Sequence, residues 1–375
     1  MGKKIFIMTC VHEWNDNRIL FKEASSLVRN YTVELHAPGN FKFREVNGVR
    51  IFGLAPVKRF LRPLSWIRLF FRSVKAVASV YHFHDPELIP LGLFLRILGK
   101  KVVYDVHEDY PDAILYKQWI PKPFRKMTSF IFNLLEKKCS SFFSGLIFAE
   151  LTYKEGFRNS RTPQIDILNY PLDCEPKERA SKETEKRCNL IYAGTVSEIR
   201  GAVEMLKTMA ILASWEKNVH LFLVGPFPRP SLRAELEEFL KEHSLLEYVT
   251  ITGRVAPAEV YTYYEKADIG LCLLHPVENN LKSLVTKLFE YMSAGIPILA
   301  SNFPRWSELL EETRAGLTAN PLDPYEIARQ VCTLIDNPEL RLSMGSSGRE
   351  AYEKYFNWNG EETKLIRFYD KLLEI

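Results

Sequence analysis

No apolar run in this chain approaches the roughly 20 residues that a membrane-spanning helix requires, so a spanning helix is not expected. Cysteines are few and scattered. Cys10, Cys139, Cys174, Cys188, Cys272 and Cys332 form no C-x-x-C pair and no metal-ligand spacing. That excludes a disulfide framework and predicts reduced, mostly packed thiols in a reducing compartment. Repeats and low-complexity tracts are absent as well. Lys3 and Lys4 precede an apolar run, but Ile5 to Met8 is too short for a secretion signal and leads into the polar VHEWNDNR. The start MGKKIF lacks the Ser or Thr that myristoylation needs at its sixth position. The expectation is a cytoplasmic chain.

What is present suits two cores. The 375 residues are 46% hydrophobic and 26% charged, in the range of a globular protein too long for one comfortable domain. The net charge of +4 is unevenly spread. Residues 1–170 carry 26 Lys+Arg against 15 Asp+Glu, and residues 171–375 carry 24 against 31. The halves therefore face different partners.

Short β-branched or aromatic runs alternate with amphipathic segments. Strands are expected near 4–9, 32–37, 49–54, 80–83, 101–106, 146–149 and 164–168, then near 189–193, 219–224, 249–252, 269–273 and 296–300. In the second half, helices are expected near 201–214, 231–243, 257–266, 286–294 and 323–336. Such alternation implies parallel βαβ units and predicts an α/β protein with two Rossmann-like, doubly wound domains. The stretch 171–187, rich in Lys and Glu and poor in apolar residues, reads as a linker between domains at 1–170 and 188–356. A final helix, 357–375, closes the chain.

In open α/β sheets, ligands bind beyond the carboxyl ends of the strands, so two facing sheets would form a cleft with one substrate held by each. The richest segment is TKLFEYMSAGIPILAS, residues 286–301. Thr286 is expected to cap a helix whose first turn carries Lys287 and Glu290. A helix starting at a strand's carboxyl end aims free N–H groups and partial positive charge at a ligand, and a diphosphate is the natural occupant. Glu290 is placed to accept hydrogen bonds from a ribose diol. Upstream, IYAGTVSEIRG repeats the strand–glycine–helix logic, with Gly194 for close backbone approach and Arg200 for a charge-assisted grip on phosphate. ITGRV adds Gly253 and Arg254 at another strand end.

With LFLVG, KADIGLCLL and TKLFEYMSAGIPILAS in that order, these segments resemble the donor-binding domain of family 4 of the retaining glycosyltransferases, which have the GT-B fold. VHEWNDNRILFKEASSLVRNYTVELHAP, YHFHDPELIPLGLFLRILGKKVVYDVHEDYP and FNWNGEETKLIRFYDKLL resemble a branch that builds bacterial surface polysaccharides. The resemblance implies that Glu290 holds the ribose, Arg200 contacts the diphosphate, and Gly253–Arg254 lie against the base. It implies that the loop Ser283–Thr286 faces the pyrophosphate and sugar, and that His107 sits near the transferred sugar. It also implies retention of configuration, with the final helix crossing back onto the first domain. Two positions depart from the family: Lys282 stands eight residues before Glu290 where a second glutamate is common, and Thr195 follows Gly194 where many members have Arg.

Under this reading the donor is a sugar nucleotide, with uridine favoured, and the acceptor is a glycan or a lipid-linked glycan. Arg200, Lys287 and the helix start would stabilise the departing phosphate, so no metal or other cofactor is expected. No nucleic-acid partner is expected either. Asp16 and Arg18 are assigned to the acceptor side. The stretches 57–75 and 116–138 mix basic and aromatic residues and suit the surface of an anionic bilayer, with Trp66, Arg68, Arg72, Trp119, Lys122 and Arg125 as the facing residues. Asp85-Pro86 reads as a helix cap, and His82 and His84 receive no role. Two alternatives share the same residues: a nucleotide-sugar epimerase, and a non-catalytic partner subunit at the membrane.

Overall fold

The computed structural model describes residues 2–117, 120–173 and 187–374. The chain divides into two compact units, residues 1–169 with 358–375, and residues 170–357. Most of the expected linker, 174–186, lies outside the described residues, as does Trp119. Tyr170 groups with the second unit, where its ring packs on Phe289 at 4.8 Å and Phe356 at 5.5 Å.

Unit 1 is built on β1 (Lys4–Met8), β2 (Thr32–Pro38), β3 (Arg44–Val46), β4 (Val49–Leu54), β5 (Val80–Phe83), β6 (Lys101–Val106), β7 (Gly145–Phe148) and β8 (Gln164–Asp166). Its sheet runs β3-β4-β2-β1-β5-β6-β7-β8. All pairs are parallel except the β3–β4 hairpin, which sequence reading missed. Its turn is Asn47-Gly48 with both φ positive (52° and 76°), the pairing a tight hairpin demands. Near-continuous apolar runs such as KIFIM and GLIF form the central strands because helices cover both faces. The final helix Trp358–Glu374 packs onto this unit. Trp358 Nε1 donates to Ser26 Oγ (2.9 Å), and Glu361 accepts from the Leu168 amide (2.9 Å).

Unit 2 carries β9 (Cys188–Ala193), β10 (Val219–Val224), β11 (Val249–Gly253), β12 (Ile269–Cys272), β13 (Ile298–Ser301) and β14 (Gly316–Ala319), all parallel, in the order β11-β10-β9-β12-β13-β14. The order reverses between β9 and β12, as it does between β1 and β5 in unit 1. Those switch points open crevices at the carboxyl ends of the strands, where doubly wound sheets take their ligands. β14, four residues beginning with Gly316, escaped the pattern reading because it is short and only part-buried.

One local departure matters for chemistry. Asn17–Ala24 is a π-helical segment that continues as the α-helical Ser25–Leu27. In a π-helix, residues five apart stack along one face. That brings Arg18 Nη2 to 2.9 Å from Glu23 Oε1, both inside the core.

Candidate active site

In unit 2 the helix Thr286–Ser293 starts at the carboxyl end of the sheet. Its N-cap is Val285, without a side-chain cap, so Thr286 is the first helical residue rather than the cap expected from sequence. The free N–H groups of the first turn stay available for an anion. Lys287 stands over the Tyr192 ring at 5.4 Å, and its Nζ lies 3.8 Å from Glu290 Oε2. The same Glu290 oxygen accepts from the Tyr264 hydroxyl (2.9 Å), which fixes the carboxylate one turn into the helix.

Glycine makes this approach possible. A β-carbon on Gly194 (φ 143°) would lie 2.9 Å from Lys287 Nζ, and one on Gly225 (φ 145°) would lie 1.9 Å from the Gly194 carbonyl oxygen. Any side chain here would fill the space in which Lys287 sits at the end of β9. Arg200 comes to the same place: its charge acts on the Tyr192 hydroxyl and, with Lys287, on the Cys272 thiol, while the Tyr192 hydroxyl itself donates to Thr195 O (2.8 Å). Burial nevertheless dominates at Cys272 and pushes the thiol up to about 12, so it is no nucleophile.

Gly253 ends β11, where its carbonyl accepts from the Gly225 amide (3.0 Å), and Arg254 beside it is exposed. Ser283 opens the loop expected to present its backbone to the donor. Its hydroxyl donates to Asn279 O (2.7 Å) and its carbonyl accepts from Trp306 Nε1 (2.8 Å), so the side chain is spent on closing the short helix before it. Lys282 pairs with Glu278 one turn away.

In unit 1, His107 follows β6 directly. Its Nε2 is 2.9 Å from His12 Nε2, a contact that needs one donor and one acceptor. Burial pushes His107 down to about 4, with His12 nearby adding to it. Burial also opposes charge on His12, but Asp16 (3.5 Å from Nδ1) and Asp85 (3.6 Å from Nε2) outweigh it, so His12 is raised. His12 is thus the donor, and Asp16–His12–His107 holds a proton at the carboxyl end of this sheet.

Sequence reading missed His12 and found in Asp85 only a helix cap; Asp85 does stand at the N-cap of Pro86–Leu88, with Pro86 first. The Asp85 side chain caps no helix. Its Oδ2 accepts from Thr9 Oγ1 (2.9 Å), the Cys10 amide (2.5 Å) and the Val11 amide (3.2 Å), which ties the loop bearing His12. Asp16 does cap, accepting from the amides of Arg18 (2.9 Å) and Ile19 (3.0 Å). Arg18 is not an acceptor-lining residue. It is 5% exposed and clamps Asp105 through Nε (2.8 Å) and Nη2 (2.9 Å) while donating to Ile167 O (2.9 Å). Burial beside two carboxylates explains why an arginine that looked free in sequence is committed to the core. A pocket of about 190 Å³ lies nearby, lined by Glu108, Asp109, Asp112, Glu136 and Lys137. There, burial pushes Glu136 up to about 7 while the Tyr104 hydroxyl donates to it (2.7 Å).

The basic stretches also sort differently from expectation. Arg72 turns inward to Phe52 O and Gly53 O, Arg125 donates to Ile120 O (2.8 Å), and Trp66 packs on the core; Arg68 and Lys122 remain exposed. The helix Arg62–Lys75 buries Ser65, Leu69 and Ser73 and turns Leu64, Ile67, Phe71 and Val74 to solvent, with Phe60 just before it. Spaced three and four apart, these form an outward apolar stripe. Helix Lys122–Ser140 does the same with Phe124, Met127, Phe130, Ile131 and Leu134, while burying Glu136 and Ser140.

Residues 187–337 match the family described as "Glycosyl transferases group 1". Spore coat protein SA of Bacillus subtilis is 24% identical over 220 residues, 55% of this chain and 57% of that protein. Sulfoquinovosyl transferase SQD2 of Arabidopsis thaliana is 29% identical over 334 residues, 85% of this chain and 54% of its own length. The chain thus spans about half the length of these curated relatives. Among solved structures, sucrose-phosphate synthase from Thermosynechococcus elongatus superposes with TM-score 0.75 at 15% identity, covering 99% of both chains. Anabaena HepE in complex with UDP and glucose gives 0.70 at 16%, covering 98% of this chain and 100% of that one. The fold is GT-B.

Proposed function

We propose, from the match of residues 187–337 to the group 1 glycosyl transferases and from the GT-B fold, that the protein transfers a sugar from a nucleotide-diphosphate donor to a glycan or lipid-linked acceptor with retention of configuration. The observation that carries this reading is the triad of Arg200, Lys287 and Glu290 gathered around Tyr192 at the switch point of unit 2. Glu290 receives the ribose hydroxyls. Lys287, Arg200 and the uncapped first turn of its helix take the diphosphate and stabilise the charge that grows on it as the glycosidic bond breaks. Three such groups supply the electrostatic work asked of a metal elsewhere, so a metal-independent reaction is proposed.

On unit 1, His107 addresses the reacting sugar or its acceptor, with its protonation set by His12 and Asp16. The carboxylate-lined pocket beside it suits acceptor hydroxyls. A uridine nucleotide is favoured because the structural neighbour HepE was solved with UDP and glucose, and a role in surface polysaccharide assembly follows the sequence resemblance.

Thermal shift against UDP, GDP, CDP and ADP, each with and without magnesium, tests the donor site. One nucleotide should stabilise the folded protein by mass action, independently of magnesium. In Glu290→Ala its affinity should fall about 10–100-fold, the worth of hydrogen bonds to a charged group. No shift with any nucleotide in a folded sample would sink the donor assignment and favour a non-catalytic binding partner.

The outward apolar stripes of the helices Arg62–Lys75 and Lys122–Ser140, set among Arg68, Lys75, Lys122 and Lys126, support a peripheral position on the inner face of an anionic membrane. No helix among the described residues is long and apolar enough to cross one. Apolar insertion and attraction to anionic headgroups act together in such binding. Replacing Ile67, Phe71 and Phe130 with glutamate should weaken binding to phosphatidylserine vesicles more than tenfold and leave nucleotide binding intact. Unchanged sedimentation with vesicles would remove the membrane from this picture.

A further inference from the structure

Behind the acceptor-side loop lies a cluster that the transfer reaction does not use. Glu23 reaches it from the π-helical segment, His82 from β5, His84 from the position just after β5, and Asp105 from β6. All four are completely buried. A ligand atom from each lies within 4.8 Å of the others. His82 and His84 are two apart in extended chain at the end of β5, and their ring centroids are 4.4 Å apart.

The hydrogen bonds around the cluster have a direction. His84 Nδ1 lies 2.9 Å from Asp105 Oδ2, and the ionised carboxylate makes the ring nitrogen the donor. His82 Nδ1 lies 2.7 Å from the Tyr369 hydroxyl, supplied by the terminal helix. With Nδ1 engaged on both rings, each Nε2 is the nitrogen turned inward; it carries the lone pair on His84, and on His82 in the tautomer whose Nδ1 donates to the Tyr369 oxygen. Those two Nε2 atoms and Glu23 Oε2 have no hydrogen-bond partner among the described residues. They face one another: Glu23 Oε2 is 3.7 Å from His82 Nε2 and 3.9 Å from His84 Nε2.

Buried polar atoms without partners are uncommon, and three converging on one point need an occupant. Ligands of a tetrahedral zinc ion, at about 2.0–2.1 Å from the metal, stand about 3.4 Å apart. The two separations from Glu23 Oε2, 3.7 and 3.9 Å, lie within about half an ångström of that. A carboxylate or hydroxyl holding the far nitrogen of each ligating imidazole is the usual outer support of such an ion. Arg18 takes Glu23 Oε1 and both Asp105 oxygens, so it orients the two carboxylates and leaves Glu23 Oε2 toward the histidines.

We propose that Glu23, His82 and His84 form a buried site for a divalent transition metal of the zinc class, with Asp105 and Tyr369 as the outer groups that fix the two imidazoles. Its place, tying the π-helical segment, β5 and the terminal helix together behind His12 and His107, makes it a structural ion for unit 1. It is separate from the diphosphate chemistry of unit 2, and the donor-site experiment above is indifferent to it.

The ligands are closed to solvent, so the metal must be loaded as the chain folds. Untagged full-length protein, made in zinc-supplemented medium or refolded with Co²⁺, should retain about one equivalent after dialysis against a weak chelator. The cobalt form should show visible d–d absorption, and X-ray absorption should find two imidazoles and one carboxylate around the metal. Glu23→Gln and His84→Gln, checked for folding by circular dichroism, should each retain at least tenfold less. Folded wild-type protein that retains no metal overturns the proposal, as does retention unchanged in both variants. Should the variants not fold, the wild-type X-ray absorption decides alone: a shell without two imidazoles rejects the site.

Discussion

Lys287→Ala is expected to lower sugar transfer by about 10²–10³-fold, the loss typical of removing one preorganised group aimed at developing charge. The ammonium is held by its surroundings rather than by its own stiffness. The Tyr192 face lies beneath it, Glu290 stands 3.8 Å away, and Gly194 leaves the space it occupies. Held there before the donor arrives, it needs no reorganisation as the bond breaks. The charge it meets is greatest on the departing diphosphate, so the loss should fall more on turnover than on donor binding. Steady-state kinetics on the sugar nucleotide, with water or glycan as acceptor, separates the two. A variant that loses only donor affinity would assign Lys287 to ground-state binding, and one that loses neither would exclude it from the site. Lys287→Arg should restore part of the rate, because the charge returns with a different geometry.

Arg18→Leu is expected to destabilise unit 1 by about 3–5 kcal/mol, the cost of breaking a buried ion pair from one side. Asp105 would lose both guanidinium contacts and Glu23 its only described cationic partner, in a core where neither carboxylate reaches water. Denaturant unfolding of the variant gives the number directly. Asp105→Asn placed in the Arg18→Leu background should recover part of the loss, since it removes the charge left unmatched, and a double-mutant cycle isolates the coupling. An effect under about 1 kcal/mol would mean that the guanidinium is not the keystone of this core.

The legibility of the chain differs between its halves for a physical reason. In unit 2 the strands, their helices and the donor residues lie in sequence order. Gly194 and Arg200 follow β9, and Lys287 and Glu290 stand near the start of the helix Thr286–Ser293. A local pattern of strand, glycine and helix start is enough to find them. The errors there are local too. Sequence places the cap at Thr286, whereas the structure puts the N-cap at Val285.

In unit 1 the chemistry is assembled across distance. His12 meets His107, Asp85 meets Thr9 and Cys10, Arg18 meets Asp105, and Tyr369 meets His82. None of these pairs is visible as a motif. The alternation of His82 and His84 did mark a shared strand face, but which way that face pointed depended on the helices covering it. The basic stretches were legible as amphipathic, yet their apolar stripes turn outward while Ser65, Ser73 and Glu136 are buried. A helical wheel gives two faces; only packing says which one meets the core.

The amino-acid sequence by itself determined the α/β class and the parallel sheets, because hydrophobic period, glycine placement and helix starts are properties of neighbouring residues. Tertiary structure alone decided the π-helical pairing of Arg18 with Glu23, the proton held between His12 and His107, the buried Glu23–His82–His84 cluster and the outward turn of two apolar stripes. Each of those is fixed by burial and by partners tens to hundreds of residues away. Their energies exist only once water has been excluded from between them.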